Sequence, residues 1–159
     1  MILRVPASSA NLGPGFDALG LALSIYLECR FRPAEALAIR VAGRDAAEIP
    51  ATEDNLIWQT ALAVARDTGE RLPFVELEIH NDIPLGKGLG SSAAALTAGV
   101  VIADRLLGLG WKRHRILDEA ARIKAIRTTW PRACWARSWP APSTCMVKPA
   151  RCASTCRRR

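Results

Sequence analysis

Residues 84–93 read Pro-Leu-Gly-Lys-Gly-Leu-Gly-Ser-Ser-Ala, and they hold the chain's clearest chemistry. Gly86, Gly88 and Gly90 free the backbone to take positive φ angles and to approach a ligand closely. Ser91 and Ser92 then open a helix whose first N–H groups have no intrahelical partner and whose positive dipole end faces back into the loop. A glycine loop feeding a helix N-terminus is an anion site suited to phosphate. An ordinary strand-to-helix turn with a serine N-cap would also use one glycine and one serine. Three glycines in five residues go beyond what such a turn needs, and the whole string favours phosphate.

The elements that must position this loop are legible around it. Phe74 to Ile79 alternates apolar with acidic side chains, the period of a half-buried strand that continues toward His80. Ser91 to Leu107 is rich in Ala, Leu and Val, which predicts a helix buried on most sides, with Ala93, Ala94 and Ala95 packing closely under the loop. Residues 2–5, 21–31 and 36–41 have the pattern of further strands, with a loop from Pro6 to Gly20. Residues 55–68 predict a helix, with Leu56, Thr60, Ala63, Val64 and Asp67 spaced around its wheel and Gly69 as its stop. Lys112 to Ile123 predicts another, with Ile116, Leu117, Ala120 and Ile123 as its apolar face. The fold class is α+β, a mixed sheet with packed helices.

Charge divides the chain in two. All 15 acidic residues lie in residues 1–119 with 12 of the 22 basic ones, so that part carries −3. Residues 120–159 hold ten basic residues and no acidic ones, so they carry +10 and make the chain's net charge +7. A nucleic-acid partner is therefore not indicated for the body of the chain. Trp130, Trp135 and Trp139 interleave with arginines in the tail and could stack on single strands, the alternative reading of that segment. Four of the five cysteines, Cys134, Cys145, Cys152 and Cys156, also lie there, without the paired spacing of a zinc site. No run of about 18 apolar residues predicts a membrane span. Met1 to Pro6 lacks the basic start and apolar stretch of a signal peptide, so the expected location is the cytoplasm.

A second motif, Pro6-Ala-Ser-Ser-Ala-Asn11-Leu-Gly13-Pro14-Gly15-Phe-Asp17-Ala-Leu-Gly20-Leu, precedes the phosphate loop. Together the two segments resemble the homoserine kinases, a branch of the GHMP family of small-molecule kinases. The loop is similar to the P-x-x-x-G-L-G-S-S-A signature of the whole superfamily, whereas the Asn11 to Gly20 segment singles out the homoserine branch. The resemblance covers residues 1–123 and implies a GHMP N-terminal, ATP-binding domain, with the family's C-terminal domain missing from these residues.

That resemblance implies transfer of the γ-phosphoryl group of ATP to the side-chain hydroxyl of L-homoserine, on the route to threonine. Pro84, Leu85, Gly86, Lys87, Gly88, Leu89, Gly90, Ser91, Ser92, Ala93 and Ala94 would surround the nucleotide phosphates. Ser91 or Ser92 would offer a hydroxyl to Mg²⁺, with Glu119 as its carboxylate ligand, since hard Mg²⁺ prefers oxygen donors. The side chain of Lys87 sits at a variable motif position, where a phosphate contact and a solvated ammonium fit equally. Asn11 and Asp17 would contact homoserine, the carboxylate suiting its ammonium and the amide a hydroxyl or carboxylate. Outside the motif, Asn11 beside Gly13-Pro14-Gly15 reads as turn chemistry and Asp17 as a cap or Asx turn. No catalytic base is assigned. Another GHMP kinase specificity and a non-catalytic nucleotide-binding fragment are the alternatives, and the intact family is often dimeric.

The resemblance stops at Ile123. The family continues with a string close to E-G-H-P-D-N-V-A-P, whereas this chain has Lys124-Ala-Ile-Arg-Thr-Thr-Trp-Pro131. One coding string for Ile123 to Pro131 is ATC AAG GCC ATC CGG ACA ACG TGG CCC. One G inserted after ATC converts it to ATC GAA GGC CAT CCG GAC AAC GTG GCC, which encodes I-E-G-H-P-D-N-V-A. Residues 124–159 thus read as frameshifted sequence, which accounts together for the lost acids, the Trp and Cys burst and the absent periodicity. Sequencing the gene across codons 120–130 is expected to find E-G-H-P-D-N in the neighbouring frame; its absence there overturns the reading.

Overall fold

The structure is a computed structural model that describes residues 1–10 and 20–125. Four strands form one mixed sheet: β1 (Ile2–Ser9), β2 (Leu21–Pro33), β3 (Ala38–Gly43) and β4 (Val75–Asn81), in the order β1-β2-β4-β3. β2 is antiparallel to both β1 and β4, and β3 runs parallel to β4. The parallel pair is joined through α1 (Leu56–Thr68), as a parallel connection requires a crossover. α2 (Ser91–Leu107) follows β4, and α3 (Arg113–Ala125) follows α2. The α+β class with a mixed sheet is as the sequence predicts.

The two faces of the sheet differ because side chains alternate along each strand. Leu3, Val5 and Ala7 of β1, Leu27, Cys29 and Phe31 of β2, and Val75, Leu77 and Ile79 of β4 are buried in one core with the helices. The opposite face carries charge. Arg4 pairs with Glu28 at 2.8 Å, and Arg32 and Arg40 both hold Glu76. These hydrogen bonds, Arg32's first, keep the Glu76 carboxyl below its ordinary range. On the core face, burial and then the charge of Glu28 push the Cys29 thiol up to about 12, so it stays protonated and unreactive at neutral pH.

The structure shifts several details of the sequence reading, with β2 ending at Pro33 and β3 spanning Ala38–Gly43. β1 continues through Ala7, Ser8 and Ser9, which pair with Leu23, Ala22 and Leu21 beyond a register shift between Pro6 and Ala7. Pro6 has no N–H to give the ladder, and an irregularity at an edge strand accommodates it. The apolar face of α1 is Ile57, Thr60, Ala61 and Val64 with Trp58 and Ala65, whereas Leu56 and Ala63 are half-buried and Asp67 is exposed. α3 runs to Ala125, past the expected boundary at Ile123, with Ile123 buried and Ile116 and Ala120 packed at the core margin. Residues 126–159, the rest of the proposed tail, lie outside the described residues.

Helix α1 is capped at both ends. Asn55 Oδ1 accepts the Ile57 N–H at 3.0 Å, and Gly69 closes α1 in the left-handed region. Helices α1 and α2 cross closely at Gly99, where a Cβ would stand 2.5 Å from Thr60 Cβ and 2.6 Å from the Ile57 carbonyl oxygen. Alanine at a helix-interior glycine ordinarily gains about 1 kcal/mol. Here Gly99→Ala is expected to lose about 1–3 kcal/mol by overpacking, read as a lower urea midpoint with the helical signal retained.

Candidate active site

The loop from Asp82 to Gly90 leaves the C-terminal end of β4 and delivers the chain to α2. Gly86, Gly88 and Gly90 have φ of 67°, 72° and 74°, the left-handed conformation that a side chain disfavours. Gly90, not a serine, is the N-cap of α2, and it contributes no side-chain cap. The first helical bond runs from the Ala94 N–H to the Gly90 carbonyl at 2.9 Å, so the N–H groups of Ser91, Ser92 and Ala93 stand ahead of it. The N-terminus of α1 opens on the same space, but the Asn55 side chain already occupies its own cap. Of these two α-helix starts, only that of α2 is without a side-chain cap.

These groups line a cavity of about 410 Å³. Every residue from Pro84 to Ala93 borders it, while Ala94 lies buried beneath at 1 % exposure. Glu48, Ile49 and Pro50 after β3, and Asn55 to Ile57 at the start of α1, form a wall that the sequence motifs do not mark. The Asn55 Nδ2 donates to the Pro50 carbonyl at 2.6 Å and joins the two parts of that wall. An asparagine just ahead of an apolar helical run was the available sign that α1 begins there. Leu27 and Ile79 supply an apolar floor from the sheet, and Lys124 of α3 also borders the space.

The loop is anchored at both ends. At its start Asn81, 2 % exposed, donates from Nδ2 to the Arg44 and Ile83 carbonyls and accepts the Ile83 N–H on Oδ1. At its end the Ser8 N–H donates to the Leu89 carbonyl at 3.0 Å, which ties β1 to the loop. A Cβ on Gly90 would stand 2.4 Å from Ser8 Oγ and 3.1 Å from the Ser8 carbonyl oxygen. Glycine is needed there twice over, for its φ and for this approach.

The structure does not bring every predicted residue together. Glu119 is absent from the cavity lining and pairs with Arg122, which also reaches Asp67 of α1. The hydrogen bond to Glu119 in particular holds the Arg122 guanidinium protonated more firmly than usual. Among the described residues no three His, Cys, Asp or Glu side chains cluster as a metal site would need. Asn11 and Asp17 lie outside the described residues. No helix among the described residues is long and apolar enough to cross a membrane.

A four-stranded mixed sheet, helices on its core face and a triple-glycine loop at the head of α2 together give the fold of a GHMP kinase N-terminal domain. The sequence profile of the GHMP kinases N terminal domain matches residues 55–130. Over its matched residues the chain is homologous to homoserine kinases. It is 74 % identical to homoserine kinase of Solibacter usitatus over 122 residues, 77 % of this chain and 40 % of that one. It is 43 % identical to homoserine kinase of Desulfitobacterium hafniense over 122 residues, covering 77 % and 41 %. The crystal structure of homoserine kinase from Cytophaga hutchinsonii superposes with a TM-score of 0.59 at 30 % identity, over 76 % of this chain and 40 % of that one. The Methanococcus jannaschii mevalonate kinase, at 16 % identity and a TM-score of 0.62, shares the fold. The chain thus spans about 40 % of the length of the curated relatives it matches.

The double constraint on Gly90 sets a test. Gly90→Ala is expected to lower stability by about 1–3 kcal/mol. Ser8→Ala in the same chain should recover only part of that loss, because the φ and the Ser8 carbonyl contact remain. Chemical denaturation of the two variants measures both effects; full recovery in the double variant contradicts the backbone argument.

Proposed function

We propose that this chain is the nucleotide-binding part of an ATP-dependent homoserine kinase, acting in threonine biosynthesis in the cytoplasm. The reading is carried by one observation: three left-handed glycines and the N-terminus of α2, which has no side-chain cap, line one cavity. Backbone N–H groups there suit the phosphates of ATP, and the apolar floor and wall leave room for the rest of a nucleotide. The homology to homoserine kinases supports L-homoserine as the acceptor.

In the reaction the hydroxyl oxygen of homoserine forms the new bond to the γ-phosphorus, and the bond from that phosphorus to the β,γ-bridging oxygen breaks. ADP leaves and the hydroxyl proton passes to solvent or phosphate oxygen. The protein's part is chiefly to position and to neutralise charge. The loop N–H groups from Lys87 to Ser92 hold the phosphates, and Asn11 and Asp17 orient homoserine. The hydroxyls of Ser91 and Ser92, half-buried and exposed at the cavity, fit the oxygen donors that Mg²⁺ takes beside phosphate. Glu119 can join them only by exchanging Arg122, its partner here. When bound, Mg²⁺ offsets the negative charge of the phosphates. The segment following Ile123 in the restored frame, and the remaining length of the relatives, are assigned to completing the acceptor site.

The 159-residue chain is expected to bind MgATP and to release no ADP with homoserine, whereas the frame-restored full protein phosphorylates L-homoserine in preference to mevalonate or galactose. Gly88→Ala, which strains a φ of 72° without a steric clash, should weaken MgATP binding about tenfold or more. Calorimetric titration and a coupled ADP-release assay check these outcomes. No nucleotide binding by the wild-type chain, or a frame-restored enzyme that prefers another alcohol, overturns the proposal.

A further inference from the structure

Asp45 is the only non-glycine residue with positive φ among the described residues, at 53°. An L-residue disfavours that region, though aspartate tolerates it better than most. It is the N-cap of a short 3₁₀ turn (Ala46–Glu48), yet its side chain makes no capping bond there. Instead Oδ2 accepts the Leu85 N–H at 2.9 Å, forty residues along the chain. A conformation of this kind persists only where its surroundings enforce it.

The surroundings do so from both sides. Gly43, with φ of 93°, lies against Asn81, and a Cβ there would be 2.4 Å from the Asn81 carbonyl oxygen. The Arg44 N–H donates to that same oxygen at 2.6 Å, and Asn81 Nδ2 returns a bond to the Arg44 carbonyl at 3.0 Å. The turn that carries Asp45 is therefore pinned to the root of the phosphate loop, and it leads on into Glu48, Ile49 and Pro50 of the cavity wall. Leu85 directly precedes Gly86, so the direction of its N–H sets where the three left-handed glycines begin.

We infer that Asp45 is a positioning residue for the phosphate loop: its carboxylate fixes the Leu85 amide and so presets the loop for nucleotide. The inference rests on the nucleotide reading above for its consequence, but the Leu85 contact can be read independently of it. Glycine adopts a φ of 53° freely, so Asp45→Gly removes the acceptor without straining the backbone. Asp45→Asn keeps an acceptor oxygen and also tolerates the left-handed region. In the full 159-residue chain, Asp45→Gly should raise amide hydrogen exchange at Leu85 about tenfold, with the global unfolding midpoint little changed. It should also weaken MgATP and MgADP binding about fivefold to tenfold. Asp45→Asn should match wild type in exchange and in affinity, and Asp45→Ala, lacking the same acceptor, should exchange as fast as Asp45→Gly. Wild-type exchange at Leu85 in both acceptor-free variants, or an Asp45→Asn protein as impaired as Asp45→Gly, overturns the inference. If wild type binds neither nucleotide, the nucleotide reading fails, and exchange at Leu85 alone then decides whether Asp45 holds the loop.

Discussion

The buried carboxamide of Asn81 is the interaction on which the rest of the site depends. A buried amide must satisfy its donors and acceptor, or its desolvation destabilises the fold. Asn81 does so with three backbone groups from two segments: the Arg44 carbonyl after β3, and the Ile83 N–H and carbonyl at the start of the loop. One side chain thereby sets the distance between the end of β3 and the exit of β4. The cavity lies between those two exits, so its width follows from that amide.

The sheet gives this arrangement a rigid base. Its core face buries Val5, Leu77 and Cys29 completely, and its outer face carries Arg–Glu pairs across neighbouring strands. Such exposed pairs add little stability individually. Their effect is on orientation, because a one-residue slip of β4 would turn Glu76 and Glu78 into the core. Register and burial therefore agree, and the strand ends that carry the loop and the Asp45 turn are held at fixed heights. On the core face, Gly99 allows α2 to lie close against α1, which brings the starts of both helices to one side of the sheet.

Much of this was legible in the chain itself. The period of two in residues 74–79 marked β4, and Gly69 marked the stop of α1. The triple-glycine string marked a loop at the head of α2, and all three glycines are left-handed. Where the reading slipped, a tertiary contact was responsible. A serine N-cap for α2 was a sound local alternative, but Gly90 takes that place because only glycine can lie against Ser8. The strand ended too early at Pro6, since pairing with β2 resumes beyond an irregularity that no local pattern records. Arg122, the partner of Glu119, also reaches Asp67, 55 positions away, a contact that leaves no mark in spacing.

Sequence alone determined the place of the glycine loop, the class of fold and the break in character after Ile123, because each is written in local residue types, period or charge. Tertiary structure alone decided which groups share the cavity. The wall from Glu48 to Ile57 and the reach of Asp45 to Leu85 join segments far apart in the chain. Such contacts arise from strand order and from the need to satisfy buried polar groups, and neither acts between sequence neighbours. That is why a glycine loop ahead of a helix can be read from ten residues, while the cavity around it becomes visible only when the sheet has formed.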